Sequence, residues 1–426
     1  MNQEIRALAR KENISLMEYI LKKNKELAKK TGVNRTILAA CPNSFSVMKA
    51  ALKSAKRANA PIKFATTLNQ VDLEGAYTGL TPEQFVKTIR QEAESINLKS
   101  PVIIAIDHGG PWLKDQHRLQ KLSISEAMDE VKKSFVAAID AGYDLIHVDP
   151  TIDITLGPGE IIDIEVVADR TVELIKHCEM YRESKSLPRI AYEVGTEEVH
   201  GGLVDLKVFN QFFDLLKAGL EQEGLSNTWP CFVVGKVGTD LHTTEFDPEV
   251  ADIIVQIADD YGSVIKGHYS DNVTNPEAYP ASGMGGANVG PEFTEREYEG
   301  LMELVEIEAR LFDGGKIPKK SDLKEVLWQA VIASNRWQKW LSEGESTEDF
   351  YANSPSRQEW LVKTGCRYIW QDAEVLMARN LLYENLGHND IRAEEIVLSH
   401  IEKAMDKYYT KFNLIDLNDQ LVVTTK

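Results

Sequence analysis

The chain has 426 residues, 43% of them hydrophobic, enough for one large barrel or two to three ordinary domains with a substantial core. Its 66 acidic against 48 basic residues leave a net charge of -18, which repels phosphate backbones and anionic lipid and argues against nucleic-acid and membrane-surface roles. A small anionic substrate is still compatible, because a pocket can be locally positive. Cys41, Cys178, Cys231 and Cys366 lie far apart with no CxxC spacing, and neither an apolar leader nor a run of about 18 apolar residues occurs. The expectation is a cytoplasmic protein with reduced thiols.

In chain order, Ile14, Met17, Ile20, Leu21 and Leu27 recur at helical spacing within residues 13–30, ahead of a strand at 36–40. Ser44 is a plausible N-cap for a helix over 45–57, and a second strand over 62–68 ends in Asn69 and Gln70. Thr81-Pro82-Glu83 supplies an N-cap, an N1 proline and an early acid for a helix to about 96. The next run, Val102 to Ile106, is short, apolar and mostly β-branched, so it reads as a strand buried on both faces, ending in Asp107-His108-Gly109-Gly110. In an extended backbone these two polar side chains point to opposite sides, one toward a metal and the other toward a substrate proton. A helix capped by Ser123 or Ser125 and ended by Gly142 leads to a strand over 144–148 and to Asp149. The rhythm continues through helix 160–182, strand 189–194, helix 205–220, strand 231–234, helix 248–260 and strand 263–265. A glycine-rich stretch at 282–286 precedes a last short strand. Beyond residue 293 the pattern is helical alone, and the tail from Leu414 reads as loose.

Strands alternating with helices demand a parallel sheet, and eight such units are what a closed (β/α)8 barrel requires. The expected architecture is a barrel over residues 1–292, with its N-terminal helix, and a helical C-terminal segment over 293–426. An open doubly wound sheet fits less well, since no GxGxxG follows any strand.

In such a barrel the chemistry sits at the C-terminal strand ends. Those ends carry Asn69, Gln70, Asp107, His108, Asp149, Glu193, Glu197, His242 and His268. His108, His242 and His268 form the ligand set of a catalytic divalent metal with an open position, and His200 is a fourth candidate. Lys236 and the backbone amides of Gly283, Gly285 and Gly286 are the expected receivers of an anionic substrate group. His147, inside a strand, reads as a core residue, and His117, His177, His388 and His400 read as surface positions.

Several segments carry a family resemblance: Leu68-Asn-Gln-Val-Asp72 with Gly75-Ala-Tyr-Thr-Gly-Leu-Thr-Pro82, Asp107-His-Gly-Gly-Pro111, Ala141 to Asp149, Gly195-Thr-Glu197, His268-Tyr-Ser-Asp271 and Val289-Gly-Pro291. Over about residues 35–300 the chain resembles the Z-type (KbaZ/GatZ) subunits of class II tagatose-1,6-bisphosphate aldolase. More distantly it is similar to the zinc-dependent class II fructose- and tagatose-bisphosphate aldolases. The resemblance implies Asp107 as catalytic acid/base, His108, His242 and His268 as metal ligands, Glu193 as the strand-five glutamate and Asn288 as the asparagine of the last strand. Thr243 and Tyr269 follow the histidines where the catalytic aldolases have glycine, so the phosphate loop departs from theirs. Z-type subunits are regarded as non-catalytic partners of an aldolase and lack a histidine equivalent to His200.

The expectation is therefore a metal-dependent aldolase-like lyase or C4 epimerase acting on a tagatose- or fructose-type ketose, phosphorylated or otherwise acidic. Zinc is the first candidate metal, with manganese, cobalt or magnesium behind it. A homo-oligomer or a partner aldolase subunit is compatible with this reading. The alternative is a non-catalytic stabilising subunit.

Overall fold

The computed structural model describes residues 3–157, 160–195, 205–239 and 243–422. Eight parallel strands pair in sequence order and the last returns to the first, closing a (β/α)8 barrel. They are β1 (Ile37–Ala40), β2 (Ile62–Thr66), β3 (Val102–Gly109), β4 (Leu145–Val148), β5 (Ala191–Gly195), β6 (Phe232–Val234), β7 (Val264–Gly267) and β8 (Gly286–Val289). Each is a short run buried almost end to end, because helices cover the outside while side chains fill the inside.

Two N-terminal helices, α1 (Gln3–Lys11) and α2 (Leu16–Thr31), precede the barrel. Arg6 of α1 pairs with Asp144 just before β4 and donates to the carbonyl of Val102 at the start of β3, so α1 lies under the N-terminal ends of the strands. The helices between strands are α3 (Phe45–Ala58), α4 (Pro82–Ser95), α5 (Asp115–Leu119) with α6 (Ile124–Ala141), α7 (Ile164–Ser184), α8 (Leu206–Gln222), α9 (Pro248–Asp260) and the single turn α10 (Ala278–Ala281). Their boundaries follow the local signals. Ser44 caps α3; Thr81 and Ser123 close capping boxes with Gln84 and Glu126; Gly142 ends α6 in the left-handed region at φ 88°. Each such cap is worth about 1 kcal/mol.

After β8 the chain continues as α11 (Pro291–Asp313), α12 (Leu323–Ser334), α13 (Pro355–Gly365), α14 (Ala373–Gly387), α15 (Ala393–Lys411) and α16 (Leu417–Leu421). The helical pattern over 321–343 does not make one continuous helix. Asn335 ends α12 in the left-handed region, and Arg336–Trp340 then forms a 3-10 turn. Two further 3-10 turns, Phe350–Ala352 and Cys366–Tyr368, flank α13. These helices share one continuous apolar core with the barrel, and α15 packs across both α11 and α3. The tail is not loose over its described part. Leu414, Leu417 and Leu421 are fully buried, and the Asp416 and Asn418 amides bond to the carbonyls of Ala58 and Asn59.

The four cysteines are free thiols. Among the described residues no helix is long and apolar enough to cross a membrane.

Candidate active site

The site begins with a break in β3. Its pairing with β4 shifts register between Ile106 and Gly109, and His108 takes a left-handed backbone at φ 50°. The strand alternation expected for Asp107 and His108 is therefore lost, and both side chains line one cavity at the C-terminal ends of the strands. Glycine is required behind them. A Cβ on Gly110 would lie 1.8 Å from the Asp149 carbonyl oxygen, and one on Gly109 would meet Phe135 at 2.5 Å.

Beneath this mouth the barrel interior is charged rather than apolar. Lys63 of β2, Glu193 of β5 and Lys266 of β7 are fully or almost fully buried. Lys63 Nζ donates to Glu193 Oε2 at 2.8 Å; Lys266 Nζ bonds Glu193 Oε1 and donates to Asp107 Oδ1 at 3.1 Å. Asn288 Nδ2 reaches both Asp107 oxygens at 2.9 Å. Burial alone would push both carboxyls up. Lys266, His108, His268 and His147 together outweigh it at Asp107, as Lys266, Lys63, His147 and His268 do at Glu193, so both are held well below the usual carboxylate range. Burial lowers Lys63, whereas at Lys266 the two carboxylates overcome burial and raise it.

The histidines form the next layer. His108 Nδ1 is 2.6 Å from Asp149 Oδ2, and its Nε2 is 3.9 Å from Asp107 Oδ2. Its ring centroid is 4.3 Å from that of His268. His268 Nε2 is buried without a hydrogen bond, 3.5 Å from Asp107 Oδ1. Burial and the neighbouring His108 and Lys266 lower the His268 pKa, while Asp107 and Asp149 raise that of His108 against its burial. Asp149 is held at about 2, its burial outweighed by His108, His147 and Thr151 acting together.

Which of these groups could hold a metal follows from what is already bonded. Asp107, His147, Glu193 and His268 bring ligand atoms within 4.8 Å of one another. The Lys266 ammonium, however, bonds the same oxygens of Asp107 and Glu193, and His147 Nδ1 accepts the backbone N–H of His108 at 3.0 Å. That lower group already holds a cation. The upper pair fits better. Asp149 fixes His108 through Nδ1, the outer-shell carboxylate arrangement typical of metal-bound imidazoles, and leaves Nε2 available beside the unpartnered Nε2 of His268. The third expected ligand, His242, lies outside the described residues, as do His200 and Glu197.

Other expected residues are placed as follows. Asn69, Gln70 and Asn288 line the cavity. Asn69 also pins the chain after β3, donating to the Leu113 carbonyl and accepting from the Asp115 amide. Glu193 and Asp149 stand behind the cavity wall, bonded to the lysines and to His108. Lys236 follows β6 and is not among the lining residues. Gly283, Gly285 and Gly286 correct the phosphate-loop expectation. Gly283 and Gly285 precede β8 and Gly286 opens it, at the end of the barrel opposite the mouth, and a Cβ on Gly285 would fall 2.0 Å from Val264 Cγ1. Their smallness serves strand packing.

His147 is the buried, hydrogen-bonded strand residue expected, and it faces the barrel axis, with Nδ1 3.4 Å from Glu193 Oε1. Two further readings change. His117 is buried and accepts the Trp112 amide rather than lying at the surface. Most consequential, Arg336, Lys339, Trp340, Arg367 and Tyr368 of the C-terminal segment roof a cavity of about 520 Å³. The lysines of the floor had a visible signal, a cation inside an apolar strand. The roof residues had none, because they sit on two short turns outside any motif.

A family model described as D-tagatose-1,6-bisphosphate aldolase subunit GatZ/KbaZ-like matches residues 22–423. The chain belongs to this family. Among solved structures, a "probable tagatose 6 phosphate kinase" from Sinorhizobium meliloti 1021 superposes with a TM-score of 0.71 at 21% identity, covering 88% of this chain and 100% of that one. The fructose-bisphosphate aldolase of Campylobacter jejuni gives 0.54 at 12% identity, over 94% and 95% of the two chains. At these identities both likenesses speak for the fold alone. The GatZ/KbaZ-like match spans barrel and roof together, so the C-terminal helices belong to the family's own extent.

Proposed function

We propose that this chain is a metal-dependent, class II aldolase-like enzyme acting on a tagatose- or fructose-type ketose. It opens the C3–C4 bond as an aldolase or, if the aldehyde fragment is retained, turned and re-added, acts as a C4 epimerase. The observation that carries this reading is the meeting of Asp107, His108 and His268 at one mouth, with His108 fixed by Asp149 and His268 Nε2 unpartnered.

Asp107 is ionised at neutral pH, so it enters the cycle as a proton acceptor. It takes the hydroxyl proton as the bond opens and returns it on closure. Asn288 and Lys266 hold its two oxygens in place throughout. A divalent ion held by His108 and His268, with His242 as the further candidate, would stabilise negative charge developing on the ketose carbonyl oxygen. Zinc suits the imidazole donors, with manganese, cobalt or magnesium as alternatives.

Metal analysis paired with a turnover screen on ketoses and ketose phosphates tests the reading. His108→Ala should lose the metal. Asp107→Asn should keep it and lose about 10²–10⁴-fold in turnover, the usual contribution of a positioned proton-transfer group.

A second reading is favoured by the word "subunit" in the family description: a barrel that supports a partner aldolase chain. It expects no turnover by the isolated chain and no effect of either substitution beyond folding.

A further inference from the structure

The roof of the cavity contains a cation that, among the described residues, no carboxylate pairs with. Arg367 is only 6% exposed, and its Nε and Nη2 are buried with no hydrogen-bond partner. Among the described residues no carboxylate forms an ion pair with it, although it lines the same cavity as Asp107 and His108. Its guanidinium lies over two rings, 4.4 Å from the Trp340 centroid and 5.0 Å from that of Tyr368. Arg336 stacks on the other side of the turn, 4.4 Å from the Tyr368 ring, and also keeps a buried Nε without a partner. Arg336 and Lys339 share the single carboxylate of Asp115.

Leaving a buried guanidinium unpaired is unfavourable by several kcal/mol unless something else meets it. Of the carboxyls lining the cavity, Asp107 and Asp115 are already bonded to other cations, and Asp271 acts on Arg367 only through space, without a hydrogen bond. Its Oδ1 accepts the amides of Gly290 and Glu292, and burial pushes it up to about 7. Two unused N–H groups on one rigid, ring-stacked fork have the geometry that receives a planar or tetrahedral oxyanion.

We propose that Arg367, backed by Arg336, receives the anionic end of the substrate, a terminal phosphate monoester or carboxylate, so that the C-terminal segment selects charged ketoses for the chemistry of the barrel mouth. This rests on the ketose reading above for the sugar, but not for the anion. The expected positive field exists in this acidic protein. It comes from the 3-10 turns Arg336–Trp340 and Cys366–Tyr368 of the C-terminal segment instead of the β6 end and the glycine stretch.

The test has a binding arm and a turnover arm. Calorimetry of the purified chain with inorganic phosphate and with a hexuluronate measures anion binding directly. Turnover is compared on a hexulose 6-phosphate, a hexuluronate and uncharged D-tagatose. Arg367→Gln should weaken binding of the preferred anion and raise its KM by about 10- to 100-fold, while uncharged D-tagatose changes less than about 3-fold. The preferred anion distinguishes phosphate from carboxylate.

A guanidinium that merely braced Trp340 and Tyr368 would lower the melting temperature and affect charged and uncharged sugars alike, which would overturn the proposal. So would equal anion affinity in wild type and variant. If Arg367→Gln does not fold, Arg367→Lys keeps the cation without the fork and should still weaken anion binding about 3- to 10-fold; unchanged affinity overturns the proposal. Anion binding without any ketose turnover would sink the enzymatic reading and leave this site standing. Turnover without anion selectivity would do the reverse.

Discussion

The floor and the roof of the cavity are both built from charge, but in opposite ways. In the floor, every ionic group meets an opposite charge. Lys63, Glu193, Lys266 and Asp107 form one buried chain, and Asp149 answers His108. In the roof, Asp115 answers Arg336 and Lys339, and among the described residues no carboxylate pairs with Arg367. A closed network preorganises a reacting group, since its charges need not move when the reaction begins. An open cation creates a place for a ligand. The contrast separates the part of the site suited to chemistry from the part suited to choosing what enters.

That contrast can be broken most severely at the floor. Lys266→Met would leave Asp107 and Glu193 buried, with Lys63 as their remaining ammonium. Removing one partner of a buried pair is worth about 3–5 kcal/mol, so urea denaturation should show a loss of that order together with lost turnover. A stability change under about 1 kcal/mol would mean that the floor is not the closed network described. The smallest effect belongs to the rim of the roof. Lys339 is 39% exposed, and Asp115 keeps its 2.6 Å bond to Arg336 in its absence. Lys339→Ala should therefore shift stability by only about 0–1 kcal/mol in the same assay. A loss as large as that of Lys266→Met would erase the distinction between the two regions.

Much of the floor was legible in the sequence because strand ends advertise themselves. An apolar run that stops in Asp107-His108 marks a barrel mouth without knowledge of any neighbour, and the capping signals at Ser44, Thr81 and Ser123 fix the rhythm that makes eight units. What stayed hidden depends on orientation or on distant sequence. His147 reads rightly as core, but strand position does not reveal that its face lies toward the axis, beside Asp107 and Glu193. Gly285 reads as a ligand loop because smallness for a ligand and smallness for Val264 look alike in a sequence. Asp107 and His108 share a face only because His108 adopts a left-handed backbone, which an imidazole gives no reason to expect. Arg367 lies 260 residues beyond Asp107, on a turn held by its packing against α11, α12 and α13.

The embrace of α15 and α16 also bears on how the molecule comes to exist. Tyr19 donates its hydroxyl to the carbonyl of Leu421, 402 residues away, and the Thr36 amide just before β1 bonds to Phe412. The seam where β8 meets β1 is thus covered by the last helices to be made. Contacts this remote in sequence are slow to form, and until they form the apolar flank of a nearly finished barrel stays open to other copies. Refolding from denaturant should accordingly lose yield as protein concentration rises, and a chain ending at residue 392 should aggregate where the whole chain stays dispersed in light scattering. A truncated chain that remained dispersed would mean that the barrel closes without its late cover.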